Sequence, residues 1–289
     1  MEVKVADHAG FCFGVKRAVD MCYKEADTKK HVYTLGPIIH NEMVVKDLEE
    51  RGVKVISSVD EIDFSEVKDP SEVSVIIRSH GITKAEYKSL EDKKVNIVSA
   101  TCPFVSKIHR IVEEEHEKGS DIIIIGSKKH PEVMGINGWC DNSATIIESE
   151  EEARKYRAKE GKRVVVVSQT TFNYRKFQYI VDILQKICYN VIVMNTICNA
   201  TEERQTEARL LAEKSDAMLV IGGKNSSNTQ KLYEICKAEC SNTYFIQTLD
   251  DLDLVNLKSV RSVGITAGAS TPNNIIKEVR SYVRTDHRI

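Results

Sequence analysis

Short runs of consecutive apolar, mostly β-branched residues alternate along the chain with longer charged segments. The runs are VYTL at 32–35, VSVIIR at 73–78, VNIVSA at 95–100, DIIIIG at 121–126, RVVVVS at 163–168, VIVMN at 191–195, AMLVIGG at 217–223 and SVGIT at 262–266. Strands that are apolar on successive positions are buried on both faces, and amphipathic segments between them imply parallel β/α units. The predicted fold class is α/β.

Three strands run into a cysteine that is followed at once by a helical pattern. VKVADHAGFC precedes GVKRAVDM, VNIVSATC precedes PFVSKIHRIV, and VIVMNTIC precedes NATEERQTEARLLAE. Cys12, Cys102 and Cys198 are 90 and 96 residues apart in a chain of 289 residues, a spacing that predicts three copies of one unit. Other strand ends keep step with them. His40, His130 and Ser226 lie 28 residues beyond the respective cysteines, His80 and Thr170 lie 68 beyond the first two, and Ser270 lies 72 beyond the third.

The units run 1–100 with Cys12, His40 and His80; 101–197 with Cys102, His130, Glu132 and Thr170; and 198–289 with Cys198, Ser226 and Ser270, joined by the N-terminal strand. Ligands of parallel sheets sit beyond the carboxyl ends of the strands. If the three sheets turn those ends to a common centre, three thiols and six polar tips line one cavity.

Composition narrows the chemistry. With 41 basic and 43 acidic residues the net charge is −2, which gives no global attraction to nucleic acid or to an anionic membrane. The N-terminal MEVKVADH interrupts any signal-peptide core with charges, and no apolar run is long enough to span a bilayer. Eight cysteines in such a chain read as thiols of a reducing, cytoplasmic protein, some of them metal ligands.

Three distant thiolates brought to one point suit a soft metal or an iron-sulfur cluster. An all-protein 4Fe-4S site takes four cysteines, so three suggest a cluster with one open iron. Cys236 and Cys240 are one helical turn apart beside Leu232 and Ile235 and read as packing residues; Cys22, Cys140 and Cys188 also read as core thiols. NSSN, from Asn225 to Asn228, places Ser226, Ser227 and Asn228 where a helix begins, a position that caps the helix and favours phosphate. His40, His80 and His130 add hydrogen-bond donors. Glu132 shares the KKHPEVMG loop with His130, and a carboxylic acid in a low-dielectric pocket is suited to proton delivery. Neither GGKNSS nor GSKKHPE has the spacing of a nucleotide-binding phosphate loop.

GFCFGVKRA, HNEMVV, SHGIT, ATCPFV, HPEVMG, SQTT, ICNAT, GGKNSSN and TAGAST occur in an order and spacing that resemble the 4-hydroxy-3-methylbut-2-enyl diphosphate reductase family over essentially the whole chain. The resemblance implies a trefoil of three α/β domains around a 4Fe-4S cluster, with Cys12, Cys102 and Cys198 each holding an iron and the fourth iron open to the substrate hydroxyl. It implies that His40, His80, Ser226, Ser227, Asn228 and Ser270 bind the diphosphate. His130 and Thr170 would extend that network toward the hydroxyl, and Glu132 would supply protons. Two electrons and two protons would give isopentenyl and dimethylallyl diphosphates plus water, in the last step of the methylerythritol phosphate route. A ferredoxin or flavodoxin is the implied electron donor. Two other readings of the residues are a non-redox hydro-lyase, which would turn over without reductant, and a non-catalytic iron-sulfur sensor or phosphate-ligand binding protein, which would keep its ligand response without Glu132.

Overall fold

All eight consecutive-apolar runs form strands, as does the N-terminal segment, and among the described residues every strand pair is parallel. The computed structural model describes residues 1–159, 161–252 and 260–285. The chain divides into two compact units, one comprising Met1–Val15, His40–Glu42 and Asn199–Ile289, the other Lys16–Ile39 and Met43–Cys198.

The second of these contains two four-stranded sheets. β2 (His31–Leu35), β3 (Val53–Ile56), β4 (Val73–Ile77) and β5 (Asn96–Ser99) are ordered β3-β2-β4-β5; β6 (Asp121–Ile125), β7 (Thr145–Ile147), β8 (Val164–Ser168) and β9 (Val191–Val193) are ordered β7-β6-β8-β9. The first unit holds one sheet, in which β1 (Glu2–Val5), β10 (Ala217–Ile221), β11 (Thr243–Ile246) and β12 (Ser262–Ala267) are ordered β1-β12-β10-β11. Allowing for the return of the chain's first strand, the three orders are the same. In each sheet the strand that leads into a cysteine is an edge strand: β5 into Cys102, β9 into Cys198 and β1 into Cys12.

The helices are α1 (Phe13–Thr28), α2 (Glu42–Glu50), α3 (Lys84–Asp92), α4 (Pro103–Glu117), α5 (Pro131–Gly138), α6 (Glu150–Lys155), α7 (Tyr174–Ile187), α8 (Asn199–Ala212), α9 (Ser227–Glu239) and α10 (Asn273–Thr285). They explain why the strands have no polar alternation. Ile123, Ile125, Val164 and Val166 pack with Phe177, Ile180 and Leu184 of α7, while Ile122, Ile124, Val165 and Val167 pack on the opposite face with Ile108 and Val112 of α4 and Val133 and Ile136 of α5. In the other unit Leu219, Ile221, Ile265 and Ala267 meet Ile275, Ile276, Val279 and Val283 of α10, and Met218 and Val220 meet Ala208, Leu211, Leu232 and Cys236 from α8 and α9. Each such isoleucine or leucine gains about 2 kcal/mol over an exposed one, so both faces of each strand drive it inward.

Central strands end level: Leu35 is paired with Ile77, Ile125 with Ser168 and Ile221 with Ala267. The loops after β6 and β8 therefore leave the same edge of their sheet, and so do those after β10 and β12. That edge is where every candidate side chain from these loops is found.

Candidate functional site

The three cysteines predicted to act together share one local setting. Cys12, Cys102 and Cys198 stand immediately before α1, α4 and α8, and each amide N–H donates to a carbonyl beyond the neighbouring strand: Cys12 to Ala269 at 3.3 Å, Cys102 to Ser79 at 3.0 Å and Cys198 to Thr170 at 3.1 Å. The first-turn amides of a helix favour negative charge at that point. These three are partly exposed, whereas Cys22, Cys140, Cys188, Cys236 and Cys240 are buried, and among the described residues no cysteine forms a disulfide. Burial pushes the Cys22 and Cys236 thiols up to about 12, so neither is a ready thiolate. Each of the three is thus an accessible thiol at a helix start, the kind of group that can ligate a soft metal, whereas the other five are taken up by packing.

Within Lys16–Ile39 and Met43–Cys198, the loop after β6 leads through His130, the N-cap of α5, to Glu132 in the first helical turn. The Glu132 N–H donates to His130 Nδ1 at 3.2 Å, which leaves Nε2 to carry the proton of the neutral imidazole. Glu132 is 1% exposed. The Thr170 N–H donates to its Oε1 at 2.5 Å and the Thr170 hydroxyl to its Oε2 at 2.7 Å. Gln169 N–H donates to the Ile125 carbonyl at 2.9 Å, carrying the β6–β8 ladder past the strands and setting the two loops in register. Removal from water pushes the Glu132 carboxyl up to about 7, against the backbone and side-chain hydrogen bonds from Thr170, which pull it down. The group is poised to hold or yield a proton at neutral pH.

His80, beyond β4, meets His130 edge to face with ring centroids 5.4 Å apart. The chain turns after it through Gly81, at φ +74, where an added Cβ would lie 2.5 Å from Cε1 of His109. His109 is stacked on Trp139 at 5.1 Å, and Trp139 Nε1 donates to the Ile82 carbonyl at 2.9 Å, so the SHGIT loop rests on α4 and on the end of α5.

In the other unit the Ser226 Oγ caps α9 by accepting from the Thr229 N–H at 3.3 Å, and the Ser270 hydroxyl lies 3.5 Å from Ser226 Oγ and donates to the His40 carbonyl at 3.1 Å. Asn228 is 4% exposed, and its side-chain oxygen and nitrogen have no hydrogen-bond partner within the protein. A buried amide left in that state beside the positive end of a helix is matched by an anion. Ser227, partly exposed, occupies the first turn beside it.

The structure thus brings Glu132 to Thr170, His80 to His130, and Ser226 to Ser270 and the His40 backbone. It adds Asn41, which the sequence reading passed over: its Nδ2 donates to the Ser270 carbonyl at 2.9 Å from a buried position. The asparagine directly before the charged amphipathic segment of α2 was a legible cap signal, but its partner 229 residues away was not. Of the neighbouring Thr170 and Thr171, Thr170 reaches Glu132, and Thr171 Oγ1 instead accepts from Gln169 Nε2 at 2.9 Å.

The family model described as LytB protein matches residues 3–284. The chain is 49% identical over 287 residues to 4-hydroxy-3-methylbut-2-enyl diphosphate reductase of Caldanaerobacter subterraneus subsp. tengcongensis, covering 99% of this chain and 97% of the relative. It is 47% identical over 284 residues to the protein of the same name from Clostridioides difficile, covering 98% and 99%. Among solved structures, the E-1-hydroxy-2-methyl-but-2-enyl-4-diphosphate reductase of Plasmodium falciparum aligns with a TM-score of 0.90 at 30% identity, over 97% of this chain and 87% of that one. A structure described as (E)-4-hydroxy-3-methyl-but-2-enyl diphosphate reductase, the terminal enzyme of the non-mevalonate pathway, aligns with a TM-score of 0.68 at 40% identity, over 98% and 99%.

Proposed function

The chain belongs to the LytB family of 4-hydroxy-3-methylbut-2-enyl diphosphate reductases, and from that premise we propose how its residues divide the work. The family consists of iron-sulfur oxidoreductases of the non-mevalonate isoprenoid pathway that act on a small diphosphate. Among the described residues no helix is long and apolar enough to cross a membrane.

Cys12, Cys102 and Cys198 hold the cluster. Bound there, a 4Fe-4S cluster supplies one-electron chemistry and a Lewis-acidic iron with an open position. The equivalent helix-start positions of the three cysteines and the burial of the other five support this assignment.

His40, His80, Ser226, Ser227, Asn228 and Ser270 bind the diphosphate. The unmatched amide of Asn228 and the capped N-terminus of α9 support an anion at that point. His130 and Thr170 orient the allylic hydroxyl, His130 through Nε2–H and Thr170 through the hydroxyl it shares with Glu132. Glu132 delivers the proton with which the hydroxyl leaves as water. The C–O bond breaks, two electrons enter the allylic fragment from a ferredoxin or flavodoxin, and a second proton on carbon completes isopentenyl or dimethylallyl diphosphate.

The observation that carries this reading is Glu132 itself: a buried carboxyl, held by both polar groups of Thr170 and pushed up to about 7, is a proton donor at neutral pH. Glu132→Gln keeps the shape and removes the acid. The variant is expected to retain wild-type iron and sulfide and to lose turnover by about 10²–10⁴-fold. Normal turnover with an intact cluster would contradict the assignment.

A further inference from the structure

We infer that Arg17 and Arg204 are positioning residues for two of the cysteine thiols, each gripping the loop that leads into one of them; this rests on the reading of Cys12 and Cys102 as cluster ligands. Arg204, on α8 and only 4% exposed, donates from Nε to the His8 carbonyl at 2.8 Å and from Nη2 to the Gly10 carbonyl at 2.9 Å. These are the carbonyls four and two residues before Cys12. Arg17, on α1, does the same one sheet on: Nη1 donates to the Thr101 carbonyl at 3.1 Å and Nη2 to the Ser99 carbonyl at 3.2 Å, one and three residues before Cys102.

The two clamps obey one rule. Each arginine lies five or six residues after a cysteine, on the helix that cysteine begins, and holds the loop before a different cysteine. A guanidinium is suited to this, since its planar fork spans two carbonyls and its charge strengthens both bonds. At buried Arg204 the charge is costly to bury unless its hydrogen bonds are made, so loop and arginine fix one another; half-exposed Arg17 holds its loop by the two charge-assisted bonds alone.

The Cys12 loop is further restrained on its other polar groups. Glu207, three residues after Arg204, accepts from the Asp7 N–H at 2.5 Å and the His8 N–H at 2.9 Å and contacts His8 Nδ1 at 3.0 Å. Gly10, at φ +96, packs so closely that an added Cβ would fall 2.6 Å from Asn273 Oδ1. The loop before Cys198 is built differently: the Thr196 hydroxyl donates to the Ser168 carbonyl and accepts from the Ser168 N–H, both at 2.7 Å. Cys198 is therefore the internal control.

The test is cysteine-by-cysteine alkylation of the full chain, stripped of iron by chelation and read by peptide mass spectrometry. Arg204→Gln should raise the alkylation rate of Cys12 about tenfold and leave Cys102 and Cys198 at wild-type rates; Arg17→Gln should do so for Cys102 alone. Buried Cys22 and Cys236 report global unfolding in the same samples. Arg204→Lys, which keeps the charge but not the fork, should fall between wild type and Arg204→Gln, and it replaces that variant if the latter does not fold. A uniform change across all cysteines, or none at Cys12 and Cys102, overturns the inference. The iron content of the wild type after anaerobic reconstitution with iron and sulfide, measured before chelation, tests the cluster reading separately: a wild type that takes up no iron but shows selective alkylation refutes the cluster and leaves the loop clamps standing.

Discussion

Thr170 donates to both oxygens of the Glu132 carboxylate, with its N–H at 2.5 Å and its hydroxyl at 2.7 Å, while its carbonyl accepts the Cys198 N–H at 3.1 Å. One residue thus ties the candidate acid to the backbone of a candidate metal ligand, and its two polar functions can be separated by mutation.

Thr170→Val removes the hydroxyl and keeps the N–H. One of the bonds that pull the Glu132 carboxyl down is then lost, so its pKa moves further up and the basic limb of the pH–rate profile moves with it. Turnover should fall about 10–100-fold at neutral pH because the carboxyl loses its orientation. Thr170→Ser, which restores the hydroxyl, should recover most of the rate. A profile unmoved in Thr170→Val would place the titrating acid elsewhere.

Glu132 also sets a pH dependence of stability. Its carboxyl titrates near the ordinary 4.5 when unfolded and at about 7 when folded, so the native state binds more protons between those values. Stability is full below pH 4.5 on this account and is lost as pH rises through 7, by on the order of 3 kcal/mol. Denaturant melts from pH 5 to 8 should show this loss in the iron-free wild type and a flatter profile in Glu132→Gln.

His109 acts in the opposite direction. Burial pushes its imidazole down to about 4 from the ordinary 6.5, so the folded state holds it neutral. Its contribution is present above pH 6.5 and is lost as pH falls toward 4, again by on the order of 3 kcal/mol. Substitution of His109 by phenylalanine keeps the stack on Trp139 and should reduce acid sensitivity between pH 6.5 and 4 in thermal melts.

Much of the architecture was legible because β2, β4, β5, β6, β8, β9, β10, β12 and β1 announce themselves by apolar runs or by leading to cysteines. Three strands did not: β3, β7 and β11. All three are sheet edges of three or four residues: VKVI of β3 is interrupted by Lys54, and the apolar stretches in TII of β7 and TYFI of β11 are only two and three residues long. A central strand covered on both faces prints its burial in the sequence, whereas an edge strand is legible only where its apolar run is long enough, as in VIVM at β9, or where it leads to a cysteine. Packing of Cys236 and Cys240 was likewise readable from their one-turn spacing, and both lie in the apolar cluster between α8, α9 and β10.

The site was legible where spacing carried it. Glu132 and Thr170 were picked out separately, one by its loop and one by its 68-residue step, while the bonds between them are tertiary. Arg17 and Arg204 gave no signal, because a charged residue in a helical pattern is ordinarily solvated and only the folded loops supply the carbonyls they grip. Asn41 was missed because its partner, the Ser270 carbonyl, lies 229 residues away.

The most direct measurement is anaerobic: iron and sulfide in the full chain, followed by conversion of 4-hydroxy-3-methylbut-2-enyl diphosphate with and without a reductant. An iron-sulfur centre and reductant-dependent formation of both C5 diphosphates are expected, with iron and turnover lost together in Cys12→Ser, Cys102→Ser and Cys198→Ser and iron retained in Cys236→Ser. Turnover without reductant, or wild-type iron in any of the three single variants, would contradict these assignments.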